Sequence, residues 1–116
     1  MALHTDLPIH KVTYDLSLLA STLTRNFPRD AKPHGAELRT LCAGMVNRIY
    51  RANCAADKVP HLSELLEHVQ TTELQLRLAC DLRFISPGQY ARAIELTQQI
   101  GRQAMGWRKK SCTPRA

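Results

Sequence analysis

Apolar residues recur at steps of three and four in four separate stretches of this chain, and at least one proline stands in each gap between them. That spacing keeps the apolar side chains of each stretch on one face of a 3.6-residue helix, so it dictates helices that bury those faces against one another. In the first stretch the face is Ile9, Val12, Leu16, Leu19 and Leu23. It stops near Asn26-Phe27-Pro28, because the residue before a proline avoids helical geometry and the ring removes a backbone donor. A loop is expected from there to Pro33-His34-Gly35. The second stretch carries Leu38, Leu41, Cys42, Met45, Ile49 and Asn53, and it closes around Asp57-Lys58-Val59-Pro60.

The third stretch runs to about Arg83, with Ser63 or the Pro60 turn near its start and Glu64 and Glu67 in its first turns, where negative charge suits the helix dipole. It has two apolar stripes. Leu62, Leu66, Val69, Leu76 and Cys80 form one, while Leu74, Leu78 and Leu82 form another, displaced around the cylinder. One face fills the core; the other either widens it or meets a neighbouring subunit. In the fourth stretch Ser86 is the expected N-cap, Pro87 takes the first helical position and Gln89 completes a capping box. That helix passes through Tyr90, Ile94, Thr97, Gly101, Ala104 and Met105 to Trp107, and the small residues Gly101 and Ala104 allow close approach by a neighbouring helix. The short second and third connections make consecutive helices antiparallel, so the sequence predicts an all-α, up-down four-helix bundle. Residues 1–110 form its single domain, and 111–116 are expected to be a disordered basic tail.

With 116 residues there is room for one core and not two. The sequence holds 16 Lys and Arg against 10 acids, a formal charge of +6, which points to a polyanionic partner, nucleic acid above all. No apolar run reaches the roughly 18 residues that span a bilayer. A basic segment followed by an apolar run is also missing from the first residues, which points to the cytoplasm. The four cysteines, Cys42, Cys54, Cys80 and Cys112, form no Cys-x-x-Cys pair and read as reduced thiols.

Chemistry-bearing clusters are few. His61, Glu64, Glu67 and His68 share part of a helical face, yet a di-iron bundle needs Glu-x-x-His pairs on two helices and there are none. A solvated, ion-pairing surface is the better reading of these residues. Nucleophile turns of the Gly-x-Ser-x-Gly kind and phosphate-cradling glycine loops are absent, so no enzyme and no cofactor is expected. Basic residues offer more. Arg48, Arg51 and Lys58 recur toward the end of the second helix, Arg92 and Arg102 lie on the fourth, and Arg108, Lys109 and Lys110 extend the charge. Either a polyanion lies across them, or they answer helix dipoles and ion-pair as Glu73–Arg77 and Arg77–Asp81 would. Tyr14, Tyr50, Tyr90 and Trp107 sit among apolar positions and read as core or interface residues, not as a base-stacking platform.

Arg77-Leu78-Ala79-Cys80-Asp81-Leu82, Ile85-Ser86-Pro87-Gly88-Gln89-Tyr90, Ile100-Gly101-Arg102 and Gly106-Trp107 occur in that order. Together with Tyr14-Asp15-Leu16 and Phe27-Pro28-Arg29, they resemble the accessory variability determinant (Avd) family of diversity-generating retroelements over most of residues 13–110. One departure is Met105, which stands where the family pattern has a glycine before Gly106-Trp107. The resemblance implies a non-catalytic four-helix bundle that assembles as a pentamer, binds the retroelement reverse transcriptase and takes part in mutagenic copying of a template RNA. Leu74, Leu78, Leu82, Gly101 and Trp107 are then the expected oligomer interface. Bundles encoded in ribosomal-RNA intervening sequences are an alternative within the same architecture, and a protein-only scaffold is another.

Overall fold

The computed structural model describes residues 3–112. After a single 3-10 turn at His4–Asp6, four α-helices follow in order: α1 (Pro8–Thr24), α2 (Lys32–Cys54), α3 (Val59–Asp81) and α4 (Pro87–Ser111). A second 3-10 turn, Arg29–Ala31, leads into α2. Among the described residues there is no strand. Each helix packs on its two sequence neighbours around a ring, with α1 closing on α4, which gives a square antiparallel bundle measuring 54 × 21 × 20 Å. One end, called upper here, holds the connections 25–31 and 82–86. The lower end holds the connection 55–58, the start of α1 and the end of α4.

All four helices carry a proline in their first turn: Pro8, Pro33, Pro60 and Pro87. The first backbone N–H groups of a helix have no intrahelical acceptor, so a proline there loses nothing and its fixed φ favours the turn. The expected loop through Pro33-His34-Gly35 is corrected for this reason. These residues lie inside α2, and Gly35 nests against α1, where a Cβ would come within 3.0 Å of Thr24 Cβ. At the start of α3 the Pro60 turn holds, with Pro60 in the first turn and Ser63 in the second. The Ser86 capping box forms as the sequence predicts, Gln89 N–H donating to Ser86 Oγ at 3.1 Å and Ser86 N–H to Gln89 Oε1 at 2.8 Å. Helix α4 includes Ser111, one residue past the expected domain limit, and residues 113–116 of the expected tail lie outside those described.

The core is aliphatic, with Leu16, Leu38, Met45, Ile49, Leu62, Leu65 and Ile100 all but fully buried. Each such side chain stabilises the fold by about 1.5–3 kcal/mol through burial. Four threonines are buried with them; the hydroxyls of Thr13, Thr24 and Thr72 donate to the carbonyls of Ile9, Ala20 and His68 of their own helices, and that of Thr97 is shared between the Ile94 carbonyl and a carboxylate of α3. A buried hydroxyl without an acceptor would cost about 1–3 kcal/mol, and this back-bonding removes the cost. Cys42 belongs to the same layer, and burial pushes its thiol up to about 11. Helices α2 and α3 meet closely at Gly44, where a Cβ would lie 2.8 Å from His68 Nε2.

The second stripe of α3 stays uncovered, with Leu74 71% exposed and Leu78 and Leu82 about half exposed. Gly101 faces Val69 of α3 in the same chain, and Trp107 is half-buried against the core. Both therefore take part in packing within the protomer while remaining partly exposed. Tyr14 and Tyr50 are exposed, which excludes the core alternative for them.

Candidate nucleic-acid interface

At the lower end several basic residues named from the sequence converge, and Lys58, Arg48 and Arg108 among them are engaged. The Nζ of Lys58, just beyond α2, donates to the carbonyls of Ala52 (2.9 Å), Asn53 (3.2 Å) and Ala55 (2.9 Å). These are last-turn acceptors that an α-helix leaves without partners, and a cation suits the negative pole of the helix. Arg48 pairs with Glu64 of α3 at 2.9 Å, and its Nε is buried with no partner among the described residues. From the other side Arg108 Nη1 donates to Ser63 Oγ at 3.3 Å. Two arginines thus flank the first turns of α3, one from α2 and one from α4. Of the remaining named cations at this end, Arg51, Lys109 and Lys110 are exposed.

Further along α4, Arg92 is exposed and pairs with Glu95 at 3.5 Å. Arg102 is exposed on the rim of a groove of about 340 Å³ between α3 and α4, floored by Leu66, Val69 and Gly101. Within this groove the expected Glu73–Arg77 pair is replaced: Thr97 Oγ1 donates to Glu73 Oε2 at 2.7 Å, tying α4 to α3. Arg77 pairs with Asp81 as expected, at 3.6 Å.

The acid and histidine cluster of α3 is dispersed. Glu64 faces Arg48, His68 Nδ1 donates to the Glu64 backbone carbonyl at 2.9 Å, and the His68 ring fills the gap over Gly44. Among the described residues no three His, Cys, Asp or Glu side chains gather as a metal site would require. No described helix is long and apolar enough to cross a membrane.

The upper end was not singled out from the sequence. Its two connections lie side by side, joined by rings: Phe27 and Phe84 are 5.2 Å apart between centroids, and His34 stands 6.1 Å from each. Around them Arg25, Arg29, Lys32 and Arg83 are exposed. Lys32 Nζ donates to the Arg25 carbonyl at 3.1 Å, whereas the guanidinium groups of Arg25, Arg29 and Arg83 have no hydrogen-bond or ion-pair partner among the described residues. One or two basic residues per connection give no periodic signal, and only the ring contacts reveal that the two groups are neighbours.

The fold and its charge define the class: an antiparallel four-helix bundle with exposed cations at both ends. The chain belongs to the bAvd-like family, whose model matches residues 8–111. That family is of an accessory, non-catalytic type. No curated protein and no solved structure shows a significant match to the chain.

Proposed function

We propose that this protein is the accessory subunit of a diversity-generating retroelement. It acts in the cytoplasm as a basic homo-oligomer, pentameric by resemblance to its family, that binds the reverse transcriptase and template RNA or cDNA and supports mutagenic retrohoming. Membership of the bAvd-like family across nearly the whole chain carries this reading. The net charge of +6 and the exposed cations Arg51, Arg92, Arg102, Lys109 and Lys110 support the nucleic-acid part. Phosphate contact by such residues yields affinity with little base preference, since no helix carries a groove-reading signature. The ridge of Leu74, Leu78 and Leu82 supports self-association, because an uncovered apolar strip gains from contact with another surface.

Two measurements test the proposal. Fluorescence anisotropy with a labelled RNA at low salt should show binding that weakens steeply as salt rises, and reversing Arg51 and Arg102 to Glu should lower affinity about tenfold. Light scattering should give a mass several times that of one chain, reduced when Leu74 and Leu78 become Asp. A monomer that ignores RNA at low salt overturns the reading. The same leucine ridge favours a protein-only scaffold as the second reading, and partner binding that persists at high salt with no RNA affinity would establish it.

A further inference from the structure

Arg83 is the only non-glycine residue with positive φ among those described, at 66°. It occupies the left-handed position that ends α3, with its N–H bonded to the Cys80 carbonyl at 3.0 Å and the N–H of Phe84 bonded to that of Ala79 at 2.8 Å. This pair of bonds defines the turn in which glycine is the favoured residue, since a Cβ clashes with the neighbouring carbonyl oxygen. Among the described residues nothing uses the guanidinium. The side chain is exposed and has no partner among them, so no contact there offsets the backbone strain. Strain of this kind points to a role outside the protein's own packing.

The surroundings say which ligand such an arginine meets. The Phe27–Phe84 contact sets connection 82–86 beside connection 25–31, so Arg83 shares its end of the bundle with Arg25, Arg29 and Lys32. Of the nearby acids, Asp81 is engaged by Arg77, which leaves Asp30 and, in the second turn of α2, Glu37 against four cations. Two helices start at this end and two finish there, so their dipoles largely cancel and the side chains set the potential. Cations spread over two separate connections suit an anion that repeats along a chain better than one small ion.

We infer that the upper end is a second phosphate-contacting site for nucleic acid, in which Arg83, fixed by its left-handed backbone, is the anchor and Arg25, Arg29 and Lys32 extend the track. This deepens the nucleic-acid reading above and rests on it. Arg83→Gly separates the site from any structural role, because glycine relieves the backbone and removes the charge together. In the full chain the variant should unfold at a higher urea concentration than wild type. It should also bind a labelled single-stranded RNA of about 30 nucleotides three- to tenfold more weakly at about 50 mM salt, with a log–log salt slope shallower by about 0.7. Arg83→Lys should keep most of the affinity, and Arg29→Glu should weaken binding further. Wild-type affinity in both Arg83→Gly and Arg29→Glu, with wild type itself binding, overturns this site and leaves the nucleic-acid reading standing. If wild type fails to bind the RNA, both fall.

Discussion

The two ends of the bundle are both basic, but at the lower end three of the cations already serve the protein's own structure. At the lower end Lys58 closes α2, Arg48 pairs across to α3, and Arg108 reaches α3 from the opposite side. At the upper end aromatic rings hold the connections together, and three guanidinium groups have no partner among the described residues. A cation that already donates to carbonyls or a carboxylate must break those bonds to meet a phosphate. An unengaged one loses only water and some side-chain freedom. The presence of charge therefore says less about binding than the bonds the charge has already made.

Substitutions at each end sharpen that contrast. The largest effect is expected for Phe27→Ala, which removes a buried ring from between the upper connections and should cost about 3 kcal/mol in urea unfolding. A smaller loss would mean that something other than the rings joins this end. Cys42, halfway along α2, gives a reference remote from both ends. Its thiol holds its proton in the folded state up to about pH 11, against 9.0 when unfolded. This contribution is thus complete below pH 9 and is lost as pH rises to about 11. Near pH 10.5 wild type should lose about 2 kcal/mol relative to pH 8 that Cys42→Ala does not lose. Equal alkaline slopes in the two proteins would show that the thiol ionises freely.

The smallest effect separates the ends directly. Lys58→Ala should destabilise by about 1 kcal/mol, because three carbonyls at the end of α2 return to water, while RNA affinity changes little. Unfolding midpoints and anisotropy on the same sample check both halves. A large drop in affinity with unchanged stability would reverse the assignment of the two ends.

Helix number, order and the fourth helix start were legible in the sequence, because the apolar steps and the Ser86-Pro87-Gly88-Gln89 signal are local. Pro33 misled: read as a breaker it extended a loop, whereas the backbone has no use for a donor there and α2 begins at Lys32. Leu65 is fully buried and Leu66 only partly, a distinction that needs the direction of the bundle axis, which spacing alone does not supply. The same limit applied to the basic residues. Arg48, Lys58 and Arg108 stood out by number and proximity, but their acceptors on other turns and helices appear only in three dimensions. Arg83 and Arg29 are 54 positions apart, and the packing of one phenylalanine on another brings their two connections to the same end of the bundle.

The gap at Gly44 has a mechanical consequence. One imidazole seats in one notch, so α2 and α3 have a single axial setting, and a slip of one turn, about 5.4 Å, would push the ring against Thr40 or Arg48. The axial register of these two helices, and so the level at which their ends meet the other connections, is consequently set by a residue near neither pole, and changes at either pole alter what is gripped without altering that register.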